Sequence, residues 1–431
     1  MGLKVPYVTS YLTEHCADDD YVSLAGYEAK GGYRAAKKAL GMAPQEVIDL
    51  VKESGLQGRG GAGFSTGMKW SFMPQDSDRP KYLVCNADES EPGSFKDRLL
   101  LERTPHKMLE GILIAAWATG AEKTFIYVRG EYAFPADVVQ RAINEAYERR
   151  ILGPRCMGKS FAHDVVLMRG AGAYICGEET GLLESLEGKK GQPRKKPPFP
   201  AQYGAFGMPS TVNNVETFCH VPHIVDQGAD WFRGFGTEKS PGTTLFGVSG
   251  HVVRPGLYEL PLGTPLDEII FEHAGGIPGG RKVKGVIPGG MSMPVLPAGQ
   301  LDVPMANEYL RERQSMLGTG GIMVMDETTC MVRASCIITY FFRDESCGQC
   351  TQCREGTGWL NKIVNRLERG AGSEKDIDIL VDVAGKMEGQ TICAFADAAA
   401  WPVQGMIRHF RGDFEEHVRQ QKCPFSGSFE L

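Results

Sequence analysis

The stretch 346-SCGQCTQCREG-356 sets Cys347, Cys350 and Cys353 at C-x-x-C-x-x-C spacing, and Cys393 follows in 390-QTICAFAD-397. Two-residue spacers let successive sulfurs curl around one centre, and a distant fourth closes the ligand set. Four thiolates so arranged suit a 4Fe-4S cluster. Structural zinc is the competing occupant, although it usually pairs two C-x-x-C knuckles rather than drawing three sulfurs from one loop. The remaining cysteines, Cys16, Cys85, Cys156, Cys176, Cys219, Cys330, Cys336 and Cys423, are isolated and read as ordinary buried or surface thiols.

Glycines and carboxylates suggest a second kind of chemistry. The loop 58-GRGGAGFSTG-67 holds five glycines in ten residues. Its backbone N–H groups are open, and such a nest can wrap an anion. Arg59 and Lys69 add positive charge that a phosphate would use. A flexible turn is the plainer alternative. Gly58, Gly60 and Gly63 match the dinucleotide fingerprint G-x-G-x-x-G, which needs a strand before it. Here 44-PQEVIDLVKESGL-56 comes first, with Pro44 at a first helical position and Val47, Ile48, Leu50 and Val51 on one side. A helix therefore leads into the loop, and the Rossmann context fails.

In 170-GAGAYICGEET-180 a glycine loop runs into a helix that opens on Glu178 and Glu179. Carboxylates there complement the helix dipole, so capping is the plain reading and a phosphate is a poor fit. As ligands they would accept hydrogen bonds from ribose hydroxyls or an amide. The segment 213-NNVET-217 opens another helix, with Asn213 or Asn214 as an N-cap or as an amide for phosphate and sugar oxygens. Asp88, Glu89 and Glu91, in 86-NADESEPG-93, read as a solvated acidic loop. The segment 188-GKKGQPRKKPPFPA-201 is a stiff solvated loop or a basic lip that steers an anionic dinucleotide, with Phe199 as a stacking surface. His163, His220, His223 and His251 have no metal-ligand spacing, and no Ser/His/Asp arrangement is evident.

Secondary structure must position these residues. Strand 81-KYLVC-85 leads to a helix at about 106–120, 124-TFIYVR-129 to one at about 134–150, and 164-DVVLMR-169 to one at about 178–187. Three such units predict a parallel sheet covered by helices, with ligands at the carboxyl ends of the strands. Those ends carry 86-NADESEPG-93, Arg129-Gly130-Glu131 and 170-GAGAYICGEE-179, which one extended site could collect. From Thr243 the order is strand 244–250, strand 257–263, a helix capped by Thr264 with Pro265 next, and strand 283–289. That ββαβ order suits a small β-grasp domain. From Asp326 the periodicity is helical, near 328–343, 354–369, 374–388 and 401–419, which predicts a four-helix bundle. The cysteine triplet falls between its first and second helices and Cys393 between its third and fourth.

A chain of 431 residues, 42% hydrophobic with 54 glycines, predicts several globular domains rich in tight turns. A net charge of −6 argues against a nucleic-acid-binding surface. The apolar run 111-GILIAAWATGA-121 is too short to span a bilayer. The N-terminal residues lack the pattern of a secretory signal, so the twelve cysteines suggest a reducing compartment.

Taken in order, the stretches GRGGAGFSTGMKW, CNADESEPGSFKDR, GAGAYICGEET, KPPFPA, VNNVET, SCGQCTQCREG and TICAFADAAAWPVQG resemble the flavin- and NADH-binding subunits of respiratory NADH:quinone oxidoreductase, complex I. The likeness runs from about residue 30 to about residue 420. It implies non-covalent FMN and an NADH site in one cavity, beside a 4Fe-4S cluster on Cys347, Cys350, Cys353 and Cys393. Carried over, Gly58, Arg59, Gly60, Lys69, Asn86, Asp88, Glu91, Tyr174, Gly177, Glu178, Asn213, Asn214 and Thr217 would surround FMN. Gly61, Gly63 and Val212 join the cofactor-binding set. Phe64, Phe72, Glu179 and Phe199 would hold NADH, and Glu91, Tyr174 and Glu179 would take part in the reaction. The fold implied is α/β: an N-terminal helical region with the glycine loop (1–70), a Rossmann-like parallel-sheet FMN/NADH domain (71–240), a β-grasp domain (241–327) and a helical bundle with the cluster (328–431). One departure is Gly181, where the family more often has alanine; it would loosen that helix slightly.

NADH gives up two electrons as hydride, whereas a cluster accepts one at a time, so a carrier that does both must stand between them. Flavin is that carrier. Glu179, if near the adenosine ribose, would repel a 2′-phosphate and favour NADH over NADPH. By resemblance, the partners are a smaller thioredoxin-like 2Fe-2S subunit and an iron–sulfur relay subunit, on the cytoplasmic face of a membrane reached only through the complex. The same local site would serve the flavin subunit of an NAD-reducing hydrogenase or an NAD-dependent formate dehydrogenase. An iron–sulfur scaffold without flavin is the non-catalytic alternative.

Overall fold

Residues 7–425 are described by the structure, a computed structural model. Helix α1, Pro44–Glu53, buries Val47, Ile48 and Val51 on one face. After the glycine loop, the short helix α2, Thr66–Ser71, lies so close to α1 that a Cβ on Gly67 would stand 2.4 Å from the Lys52 backbone nitrogen. Only glycine permits that approach.

Four short strands follow: β1 Tyr82–Ala87, β2 Lys123–Val128, β3 Asp164–Arg169 and β4 Ser210–Asn214. Between and after them run α3 Lys96–Arg103, α4 Pro105–Thr119, α5 Ala133–Glu148, α6 Glu179–Leu186 and α7 Val215–Gln227. The strands pair in parallel in the order β3-β2-β1-β4. The chain thus steps outward from β1 to β3 and then crosses back to the other side of β1. The reversal leaves a switch point between β1 and β4, where open α/β sheets receive ligands. Strand β4 is an addition to the three expected units, because 210-STVNN-214 carries polar residues although its first four are buried. Its hydrophobic pattern is too weak to signal a strand.

A second, mixed sheet has the order β6-β5-β9-β7-β8, from β5 Thr243–Gly250, β6 Gly256–Pro261, β7 Val283–Ile287, β8 Leu296–Pro297 and β9 Gly321–Asp326. Strand β5 is antiparallel to β6 and parallel to β9, a β-grasp arrangement. The helical turn after β6 starts at Leu266 with Pro265 as its N-cap. Thr264, the expected cap, instead donates its hydroxyl to the Pro261 carbonyl at 2.8 Å.

The chain ends in four helices, α8 Met331–Glu345, α9 Thr351–Glu368, α10 Glu374–Met387 and α11 Phe395–Gln420. Leu360, Val364, Ile377, Leu380, Val403 and Met406 fill the space between them, each contributing about 1.5–3 kcal/mol by burial. Helix α11 starts earlier than its apolar periodicity suggests, because 395-FADAAA-400 is rich in alanine, the strongest helix former. It bends at Phe410, whose φ of −132° is not helical. Among the described residues no helix is long and apolar enough to cross a membrane.

Candidate functional site

The carboxyl ends of β1 and β4 carry amides into the switch point. Asn86 donates from Nδ2 to the Gly177 carbonyl at 2.8 Å, which draws the loop after β3 over β1. Asn213 Oδ1 accepts the Trp70 indole N–H at 3.0 Å. Asn214 is the N-cap of α7, accepting from Glu216 N at 2.9 Å, and its amide donates to Asp97 Oδ2 at 2.6 Å. The capping reading therefore describes Asn214. Val212 sends its side chain into the core, opposite Val84.

The glycine loop runs across this edge. Gly58 N donates to Phe64 O at 2.8 Å and closes it; Gly61 and Gly63 take positive φ values of 111° and 67°. A Cβ on Gly60 would stand 3.3 Å from Asn214 Cβ, so the loop backbone lies directly against β4. Arg59 departs from expectation. Its backbone N–H donates to Thr217 Oγ1 at 2.9 Å, while its buried guanidinium donates to the carbonyls of Pro241 and Thr243 at 2.9 and 3.1 Å. The side chain faces inward, with its Nε buried and without a hydrogen-bond partner among the described residues.

Lys69 on α2 does face the site. Its Nζ lies 2.8 Å from Glu179 Oε2, and Lys196 Nζ lies 2.7 Å from Glu179 Oε1. Burial pushes the Glu179 carboxyl up, but Lys69 and Lys196 outweigh it and hold the group at about 2. Glu178 caps α6, taking the N–H groups of Thr180 and Gly181 on Oε2 at 2.8 and 2.9 Å, and turns Oε1 to Lys196 at 3.1 Å. The clamp joins α2, α6 and the proline-rich loop. Phe72 follows α2 and stands 6.2 Å from Phe64, while Phe199 follows Lys196 in the loop; all three rings are more than half exposed. Lys196 is one of five basic residues in its run, and only its fold position singles it out.

The acidic loop after β1 is not solvated. Glu89 is buried, accepts from the N–H groups of Asp97 and Arg98 at 2.9 and 3.0 Å, and so caps α3; Tyr132 also donates to it at 2.9 Å. Asp88 is buried, with Oδ1 lacking any partner, and burial pushes its carboxyl up to about 7. Glu91 accepts from Tyr174 Oη at 2.6 Å and from Ser292 N at 2.7 Å. Burial raises this carboxyl too, against those two donors. Ser292 comes from the β-grasp unit and no sequence signal marks it; the same holds for buried Lys96, which pairs with Asp97 and Glu216 at 2.7 and 2.8 Å behind Asn214.

Tyr174 connects this edge to the bundle. Its ring meets Phe341, Phe342 and Phe395 edge-on with centroids at 5.2, 6.1 and 5.7 Å, and its backbone N–H donates to Glu345 Oε2 at 3.0 Å. Cys347 follows two residues after Glu345. Cys350 is the N-cap of α9, Cys353 lies in its first turn, and Cys393 precedes α11 with its sulfur accepting from Phe395 N–H. Burial pushes Cys353 up to about 11 and Cys393 up to about 12. Cys353 is an electrostatic neighbour of Cys347 and Cys350, and Cys393 of Cys347 and Cys353. Among the described residues, however, the one group of three or more metal-binding atoms within 4.8 Å of each other lies elsewhere. Three thiols from one loop and a fourth from just before the start of α11 are the donor set of a multinuclear iron–sulfur cluster.

Gly181 also finds its reason here. A Cβ at that position would stand 2.6 Å from the Ile175 carbonyl oxygen. The glycine lets the loop after β3 press onto α6, which is a packing role.

Three family models match separate stretches of the chain. A family model described as the Nuo51 FMN-binding domain matches residues 51–223, an SLBB domain matches 245–296, and the NADH-ubiquinone oxidoreductase-F iron-sulfur binding region matches 334–417. An F-type subunit of NADH-quinone oxidoreductase in Rhizobium meliloti is 53% identical over 403 residues, covering 93% of this chain and 96% of that protein. Its F-type counterpart in Mycobacterium tuberculosis is 50% identical over 432 aligned positions, covering 99% and 97%. Among solved structures, an NAD+-reducing NiFe-hydrogenase in the air-oxidised state is similar with a TM-score of 0.83 at 36% identity, covering 97% of this chain and 68% of that one.

Proposed function

The chain belongs to the family of F-type subunits of NADH-quinone oxidoreductase, and from this we infer that it is the NADH-oxidising, electron-input subunit of complex I. When bound, FMN accepts hydride from NADH and releases electrons singly to a 4Fe-4S cluster, on the way to quinone. The chain's own residues bind, orient and insulate.

The backbone of Gly58, Gly60, Gly61 and Gly63, with Asn86, Asp88, Gly177 and Asn213, would form the flavin bed at the switch point. The orphaned, buried Oδ1 of Asp88 supports that placement, since a buried acceptor without a partner calls for a donor from a ligand. Phe64, Phe72 and Phe199 would stack on the rings of NADH around the Lys69–Glu179–Lys196 clamp. Glu179 would accept from the adenosine ribose and repel a 2′-phosphate. The division at residues 70, 240 and 327 is part of the same reading.

The observation that carries the reading is Tyr174, which touches Glu91 at the switch point and the aromatic residues flanking the cluster cysteines. A groove of about 360 Å³ beside those cysteines is lined by Gln349 and Ile392 together with Glu184, Lys189, Lys190, Arg194 and Lys195. Arg194 and Lys189 are paired with Glu184 and Glu187, so Lys190 and Lys195 would be the charges that meet an acidic face of the iron–sulfur relay subunit, while a thioredoxin-like 2Fe-2S subunit would be a second neighbour. Attachment to the cytoplasmic side of a membrane would come through the complex.

The test is tagged purification from the native cell. The expected preparation is yellow-brown, reduces ferricyanide with NADH, and carries other complex I subunits. A colourless, inactive chain would overturn the flavin assignment, and hydrogenase or formate dehydrogenase subunits would move the chain to another complex.

A further inference from the structure

Four side chains with no part in the flavin or cluster site meet at the other end of the bundle. Cys330 caps α8, Glu368 closes α9, His417 lies in the last turns of α11, and Cys423 follows that helix. Their ligand atoms all lie within 4.8 Å of one another, and the first three residues are buried. Cys330 Sγ is 3.4 Å from His417 Nε2, which is 3.1 Å from Glu368 Oε2.

The surroundings aim these donors at a common point. His417 Nδ1 lies 2.6 Å from the Asp413 carbonyl and donates its proton there, which turns Nε2 towards Cys330 Sγ and Glu368 Oε2. Arg333 donates from Nε and Nη2 to Glu368 Oε1 at 3.0 and 2.9 Å, which leaves Oε2 on the donor side. The Phe425 ring stacks on His417 with centroids 6.5 Å apart and covers it.

We propose that Cys330, Glu368, His417 and Cys423 form a structural zinc site at the end of the bundle remote from the 4Fe-4S cysteines. Two sulfurs, one imidazole nitrogen and one carboxylate oxygen make a closed tetrahedral set, and soft sulfur with nitrogen selects zinc over hard cations. The two thiol protons, and the proton held between His417 Nε2 and Glu368 Oε2, are released to solvent on binding. The resulting charge of Zn²⁺, two thiolates and one carboxylate is −1, which Arg333 beside Glu368 offsets. The cluster ligand Cys350 starts α9 and Glu368 ends it, and 18 helical residues span about 27 Å. The ion would fasten α8, α9 and α11 to one another and to the chain after residue 420. Cys330 and Cys423 are then ligands and not the ordinary thiols their isolation suggested.

Metal analysis of the native complex tests this. The wild-type chain is expected to carry about one zinc more than chains with Cys423→Ser or His417→Gln, with iron and flavin equal in all three. Zinc-edge X-ray absorption of the full-length chain should show two sulfurs at about 2.3 Å and two lighter ligands at about 2.0–2.1 Å. Equal zinc in all three chains, a four-sulfur shell, or a Cys330–Cys423 disulfide in place of metal would overturn the proposal.

Discussion

The Tyr174 hydroxyl donates to Glu91 Oε2 at 2.6 Å, across the line where the parallel sheet meets the bundle. Tyr174→Phe keeps the ring among Phe341, Phe342 and Phe395 but leaves Glu91 to the N–H and side chain of Ser292. A hydrogen bond to a charged group is worth about 1.5–3 kcal/mol. The rate of flavin reduction by NADH, followed by stopped flow, should fall roughly tenfold to a hundredfold. An unchanged rate would remove Tyr174 and Glu91 from the reaction.

Glu179 lies between Lys69 and Lys196, and its carboxyl stays ionised at all working pH values. Its folded value lies below the ordinary 4.5, so its contribution to stability is present above that value and lost as pH falls towards about 2. Glu179→Ala should raise kcat/KM for NADPH relative to NADH by about tenfold or more. The measurement is paired steady-state kinetics on both nucleotides, and a fixed ratio would refute the role given to Glu179.

Asp88 runs the other way. Burial holds its carboxyl near 7 in the folded chain against 3.8 in the unfolded one. Between those values the folded state binds the extra proton, so stability falls as pH rises, by up to about 1.4 kcal/mol per pH unit. Thermal unfolding of flavin-free protein from about pH 4.5 to about pH 7 should show that slope, and Asp88→Asn should flatten it. Added FMN should reduce the slope if the flavin supplies a donor to Oδ1.

Lys96 is buried between Asp97 and Glu216, with Asn214 at its side. Lys96→Met leaves two buried carboxylates without their cation. The expected loss is about 3–5 kcal/mol, read from the unfolding midpoint in urea. A change below about 1 kcal/mol would show that these carboxyls are already neutral in the fold.

Cys393→Ser should remove the cluster while leaving the flavin site standing. About four irons per chain should disappear, together with the electron paramagnetic resonance signal of the reduced cluster, at unchanged FMN content. Retention of iron would show that Cys393 is not a ligand.

The cysteine triplet is readable directly because its spacing is itself the geometry of the site. The strand-end loops are legible too, since alternating strands and helices bring their carboxyl ends together whatever the packing detail. Glu89 escapes a sequence reading because its partners, the N–H groups of α3 and the Tyr132 hydroxyl, become neighbours only in the fold. Arg59 points outward by the general rule that charge is solvated, whereas two backbone carbonyls turn it inward. Ser292, separated from Glu91 by 201 residues, and the pair Cys330 and His417, separated by 87, leave no local mark at all.

The inward guanidinium of Arg59 also has a consequence for the order of assembly. It anchors the glycine loop to Pro241 and Thr243, at the threshold of the second sheet, just as Ser292 of that sheet grips Glu91. A nascent chain that has made only the first sheet would lack both fastenings and present an unfinished bed. Prosthetic-group loading would therefore be a late event, after the β-grasp unit has emerged and docked. A truncated translation product would remain colourless, and the cell would have a visible mark separating finished subunits from unfinished ones.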